Sequence, residues 1–406
     1  MNDPLPILVL LFGVLLVVSL ITEFARIPYT VGLVIAGLAF GLVPNHPHVT
    51  FTPGLVMQLF LPPLLFAGAW TMSVSELRRN WLPIALLASV GVAIGILLSY
   101  ILLVFGAGLS VRVALLFGAI VAATDPVAVI AIFRALRIDR RLATIVEGES
   151  LFNDGTAVVA FRVLLAALIA GADNGVASKF PSIAGQIALD LLGGAAAGAL
   201  VGLMMTLILR VFDDYLLEAT GTLLAAYGSY LLAERFHTSG IVAVVIAGML
   251  MSGLGRIIGS FTNTRLAVNQ FWEFAAFLAN STLFLMVGLA INLQDLVAAG
   301  AASAWGILAV VAGRVLVVYG LSAVSRMLGA FLPGTWLPIL TLGGMRGALS
   351  MALVLSLPYS LPERSTITTM VFSVVLFTLV VQGLGLSSAI NALRLRSAAS
   401  DANGTP

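Results

Sequence analysis

Cysteine is absent from the 406 residues, which removes disulfides, thiolate metal sites and cysteine nucleophiles at once and leaves the compartment open. Charge is scarce too: Asp, Glu, Lys and Arg make up 9% of the chain, against roughly 25% in soluble domains, so there is no solvated domain of useful size. The three histidines, His46, His48 and His237, sit at loops or helix ends and never at metal-ligand spacing. No GxSxG, P-loop or HExxH pattern occurs, so hydrolase and ATPase readings have no support and the chain is not read as an enzyme. The 20 Lys and Arg are scattered between apolar runs instead of forming a patch, so the formal charge of +2 does not point to nucleic acid.

Apolar sequence is what the chain has in excess. Hydrophobic residues are 60% of it and the mean hydropathy is +1.11, the composition of a polytopic protein whose surroundings are membrane lipids. About 20 apolar residues cross a hydrocarbon core roughly 30 Å thick. Breaks at charges, Pro and Gly give thirteen segments, near 5–22, 29–43, 54–73, 81–105, 112–136, 143–170, 182–209, 216–236, 240–254, 265–291, 302–325, 335–358 and 364–391. The first follows MNDP without a basic n-region or a small-residue cleavage site, so it reads as a retained helix. With the N-terminus outside, thirteen of the 20 basic residues fall on the cytoplasmic side, four outside, and Arg162, Arg314 and Arg346 within segments. That sorting obeys the positive-inside rule and predicts a cytoplasmic C-terminus in an inner membrane.

Segment 2 contains VIAGLAFGL and segment 9 contains VIAGMLMSGL, and LPPLLFAGA in segment 3 is echoed by STLFLMVGLA in segment 10. Copies seven segments apart have opposite orientation, as in transporters built from inverted repeats. The expectation is an all-α membrane unit over 1–391, with a first six-helix repeat near 5–170, a linker near 182–209 and a second repeat near 216–391. A short cytoplasmic tail over 392–406 would follow. In this register Thr124-Asp125-Pro126 of segment 5 corresponds to Gly343-Gly344-Met345-Arg346-Gly347 of segment 12, each a helix breaker beside a charge. Helix breaks at membrane depth are tolerated where they face protein or a wet cavity, which is where such folds bind substrate.

A charged side chain near the bilayer centre costs about 2.5–3.5 kcal/mol or more, so intramembrane charges are rare and mark ion or proton pathways. The stretch from Ala123 to Gly155 holds three such carboxylates, Asp125, Glu149 and Asp154. Pro126 opens the backbone at Asp125. Exposed carbonyls and the Thr124 hydroxyl then offer hard oxygen ligands to a small cation. Asp125 reads equally as a cap on the second half-helix, and the two roles can coexist. Ser150 and Asp154 share one face of segment 6, and Glu149 and Asn153 the adjoining one. Desolvation disfavours a charged carboxylate, so one in such a site exchanges a proton for a cation near neutral pH. Two intramembrane arginines, Arg314 and Arg346, need partners; Glu149 is the obvious one, and Arg314 is favoured for it, leaving Arg346 to balance the dipoles of broken segment 12. Arg162 reads as snorkelling to an interface. Glu147, a turn closer to the cytoplasm, reads as steering cations or pairing with the loop holding Arg140 and Arg141.

ATDPVAV, then GESLFNDGTAVV after a basic loop, then GGMRGALSMALVLSLP together resemble the monovalent cation:proton antiporters of the NhaP/NHE type, over nearly the whole chain. The resemblance implies an antiporter fold with crossing broken helices, a dimerisation domain, a mobile core and a homodimeric assembly. It makes Asp154 the carrier of proton and alkali cation (Na⁺, Li⁺ or K⁺), completed by Asp125, Thr124 and Ser150, with Asn153, Glu149 and Arg314 holding the core. It implies electroneutral exchange and no resident cofactor. Two departures stand out. Many bacterial members carry a glutamate where this chain has Ala67, and the short tail lacks the regulatory domain of relatives. Potassium-selective exchange, or a transport-dead sensor or channel-like protein, is the alternative.

Overall fold

In lipid, backbone N–H and C=O groups find no water, so a spanning chain satisfies them as helix or closed barrel. Among the described residues every regular element is a helix. The structure, a computed structural model, describes residues 4–25, 29–41, 56–169, 176–212, 214–257, 264–290 and 300–393. The predicted tail beyond 393 and the loop holding His46 and His48 lie outside the described residues. In chain order the helices are α1 (Pro4–Ala25), α2 (Tyr29–Gly41), α3 (Leu61–Thr71, entered through a π-turn over Val56–Phe60) and a short α4 (Val74–Arg79). Then come α5 (Trp81–Gly106), α6 (Val111–Ile120), α7 (Val127–Leu136), α8 (Arg140–Ile169), α9 (Val176–Leu209) and α10 (Tyr215–Arg235). The last are α11 (Gly240–Ile257), α12 (Arg265–Ala290), α13 (Gly300–Met327), α14 (Leu337–Leu342), α15 (Ala348–Leu355) and α16 (Arg364–Ala392).

Among the described residues, five of these (α5, α8, α13, α16 and the 185–209 part of α9) are each long and apolar enough to cross a bilayer. Segments 5 and 12 are interrupted. Residues 121–126 separate α6 from α7, and 343–347 separate α14 from α15. Proline explains the first gap: Pro126 supplies no N–H and the Asp125 N–H leaves its own helix to bond the Met345 carbonyl at 2.8 Å. That bond ties one break to the other.

Helix α2 packs on α12, and α11 packs on α3, α9 and α10. At the first crossing, Gly37 and Gly288 bring the two backbones so close that a Cβ on either would strike the carbonyl of Leu285 or Val34. Helix α8 packs on α5, α6 and α9, while α13 packs on α5 and α16. The interior is apolar, with Phe66, Trp70, Phe117, Trp272 and Phe284 fully buried and the Phe66 and Trp272 rings 4.4 Å apart. Large apolar side chains also face outward, Phe24, Leu189, Leu192 and Leu200 among them. Such exposure is costly in water and ordinary against lipid.

Candidate ion site

The site is assembled from the middle of α8 and the two helix breaks. Glu149, Ser150 and Asn153 are each about 1% exposed, so their polar atoms depend on protein partners. Arg314 of α13 donates from both terminal nitrogens to the two Glu149 oxygens, at 2.5 and 2.7 Å. Its Nε and one terminal nitrogen also donate to the Leu340 carbonyl of α14, at 3.1 and 2.8 Å. A bidentate, charge-assisted pair of this kind is the strong form of the interaction. Of the two arginines weighed for Glu149, Arg314 is the one that meets it.

From Glu149 the network runs into the first break. Asn153 Nδ2 donates to Glu149 Oε1 at 3.3 Å and to Thr124 Oγ1 at 2.7 Å, and Asn153 Oδ1 accepts the Thr124 backbone N–H at 3.3 Å. The Thr124 and Ser150 hydroxyls lie 2.9 Å apart. Arg346, in the second break, donates to the carbonyls of Ala122 and Ala123 at 3.1 and 3.4 Å, where α6 has ended. It thus meets the negative end of the first broken helix, while Arg314 does the same for α14 in the second. Ser350 adds a 3.4 Å bond to the Ala123 carbonyl, and Thr378, in a π-turn of α16, accepts the Arg346 backbone N–H at 3.1 Å. The sequence reading named neither Ser350 nor Thr378; each is a small hydroxyl in an apolar stretch, and that is the signal they offered.

Asp125 is a cap as well as a charge. Its Oδ1 accepts the Val127 N–H at 2.9 Å at the start of α7, and the Ala348 N–H at the start of α15 also faces its carboxylate. One carboxylate therefore serves two helix N-termini. A Cβ at residue 347 would overlap that carboxylate, so Gly347 permits the approach.

Asp154 differs from its neighbours. Its Oδ1 is buried and finds no hydrogen-bond partner among the described residues, and Asp125 and Glu149 are its acidic neighbours. Ser150 is one turn before Asp154 on the same face of α8, and the Thr124 hydroxyl lies 2.9 Å from that of Ser150. The arrangement offers one unpartnered carboxylate beside two hydroxyls and opened backbone. Ala67 of α3 is buried, and its methyl brings no ligand. Arg162 pairs with Glu234 of α10 at 2.7 Å, with both side chains about a third exposed, a partner the sequence reading did not name. Glu147 has Arg134 and Arg140 as its charged neighbours.

Among the described residues, then, the fold is a bundle of membrane-type helices with two interrupted helices meeting beside an acid whose buried oxygen has no partner, the form of an ion-transporting membrane protein. Residues 7–392 match the family described as sodium/hydrogen exchanger, transmembrane, and the chain belongs to that family. It is 40% identical over 388 residues to the Na⁺/H⁺ antiporter ApNhaP of Aphanothece halophytica, covering 94% of this chain and 73% of that one. It is 35% identical over 406 residues to the Na⁺/H⁺ antiporter NhaH of Halobacillus dabanensis, covering 95% and 97%. The sodium proton antiporter MjNhaP1 of Methanocaldococcus jannaschii has the same fold, with a TM-score of 0.73 at 23% identity over 96% of this chain and 97% of that one.

Proposed function

We propose that this protein exchanges Na⁺, and with it Li⁺ or K⁺, for protons across the inner membrane, one for one, by alternate occupation of Asp154. The observation that carries this is the charge balance round the breaks. Arg314 and Arg346 are matched by Glu149, which Arg314 holds, and by Asp125, which caps two helices. Asp154 is the carboxylate left over, and its Oδ1 has no partner within the described protein. The cluster is neutral when Asp154 holds a proton, and neutral again when it holds one monovalent cation. An unoccupied Asp154 leaves a net buried charge, which resists movement through a low-dielectric barrier. Exchange without leak, and without net charge transfer, follows from that balance. Thr124 and Ser150 supply the neutral oxygens a dehydrated alkali cation needs.

The same reading takes segments 1–6 and 8–13 as inverted repeats. Exchanging segments 2 and 3 with 9 and 10 turns the α2–α12 contact into the α11–α3 contact, and both are found. Assembly as a homodimer and an outside N-terminus belong to the same proposal.

The test is proton flux in proteoliposomes against Na⁺, K⁺ and Li⁺, with and without a clamped membrane potential. Wild-type flux should not respond to the clamp, and Asp154→Asn should stop exchange with every cation while the protein stays folded. Undiminished exchange by that variant removes Asp154 as the carrier; a flux driven by the potential removes the one-for-one stoichiometry.

A further inference from the structure

A cavity of about 30 Å³ lies beside the ion pair, between α5, α6, α8 and α13, with Arg346 at its edge. Its α5 wall is Val92 together with Leu87, Gly91, Gly95 and Ser99, the last four spaced four residues apart and so on one face of the helix. Glu149, Asn153 and Arg314 bring polar atoms to the opposite side. Arg346 is 7% exposed, and its Nε is buried without a hydrogen-bond partner within the described protein.

We infer that this cavity is a hydration site, in which one or two water molecules accept the Arg346 Nε–H and donate to the oxygens of Glu149 and Asn153. A site for water needs about 10–15 Å³ and two to four polar partners, whereas cavities lined by apolar groups stay dry. Both conditions are met here. The size of the cavity selects against larger occupants, since about 30 Å³ holds no more than one or two waters. The bound water has a consequence for transport. Arg346 fastens the Ala122 and Ala123 carbonyls just ahead of Thr124, so water that completes its hydrogen bonding positions the Thr124-Asp125 backbone.

The sign of a single substitution separates this from an empty packing defect. A Cβ at Gly95 meets nothing within 4 Å, and the same holds at Gly228 of α10 and Gly320 of α13, away from the cavity. Gly→Ala inside a helix is intrinsically stabilising, so Gly228→Ala and Gly320→Ala measure that gain alone. In an empty cavity, the Gly95→Ala methyl meets nothing within 4 Å and Tm rises by the same helix-propensity gain as in the controls. In a hydrated one the methyl displaces the water and strands Arg346 Nε–H, and Tm falls below the controls by about 2 °C or more. Unfolding is followed by tryptophan fluorescence in detergent. A high-resolution cryo-EM map of the unmodified protein should show density within hydrogen-bonding distance of Arg346 Nε, and it decides the matter even if Gly95→Ala fails to fold. Absence of that density overturns the inference, as does a Gly95→Ala protein as stable as the controls. Neither measurement reads ion flux, so failure here is distinct from failure of the antiport proposal.

Discussion

Replacing Glu149 by Gln keeps the shape of the side chain and removes its charge, which isolates what the ion pair does. Arg314 is 7% exposed and has two acceptors, the Glu149 carboxylate and the Leu340 carbonyl. The variant leaves the carbonyl but turns one carboxylate oxygen into an N–H donor facing a guanidinium. It also disturbs the Asn153 amide, which donates to Glu149 Oε1 and to Thr124. Breaking a buried pair from one side costs about 3–5 kcal/mol because the remaining charge is uncompensated. At about 2 °C per kcal/mol for a large chain, Tm should fall by roughly 6–10 °C. With no cysteine for thiol-reactive dyes, the five tryptophans provide the signal in a fluorescence melt. Glu149→Leu combined with Arg314→Met should recover much of the loss, since paired replacement of buried ions by apolar groups is often neutral or stabilising. A Glu149→Gln protein that melts with the wild type, or a double variant no better than the single, would refute the structural role.

Four further substitutions, at three positions, probe the neighbouring elements. Gly347→Ala forces a methyl into the Asp125 carboxylate, so it should cost about 1–3 kcal/mol and lower flux, read as reduced Tm and slowed exchange in vesicles. Asp125→Ala should lose about 1 kcal/mol of helix capping at each of the two N-termini, whereas Asp125→Asn keeps an oxygen for the Val127 N–H but turns its amide toward the Ala348 N–H and should melt between Asp125→Ala and the wild type. By the charge balance around Asp154, Asp125→Asn should also raise the apparent KM for Na⁺, and an unchanged KM would exclude Asp125 from the balance. Arg162→Ala should change stability by less than about 1 kcal/mol, because its pair with Glu234 is about a third exposed; a larger loss in a melt would mean the bridge is better shielded than its exposure indicates.

The site was legible because lipid makes charge expensive. In a chain with so few carboxylates, Asp125, Glu149 and Asp154 stood out without any knowledge of the fold, and the four-residue spacing of α8 already put Ser150 and Asp154 on one face. The break at Pro126 was legible for the same kind of local reason, a missing N–H. Partners drawn from other helices were not. Arg162 looked like a snorkelling residue because its own segment offers no acid within a turn, and Glu234 reaches it from α10. Asp125 could be read as a cap on α7, but its second N-terminus, at Ala348, exists only once segment 12 crosses segment 5.

This difference bears on how the transport reading should be judged. Capping and pairing use up Asp125 and Glu149, and those uses are visible only in three dimensions. From sequence, Asp154 is the expected carrier, with Asp125 and Glu149 beside it; in the fold those two have partners, and among the described residues the buried Oδ1 of Asp154 has none. A buried acid without a partner destabilises the protein that keeps it. If Asp154 is retained for carrying ions and not for folding, Asp154→Asn should melt no lower than the wild type, and a marked drop in Tm would mean the carboxylate has a structural partner after all.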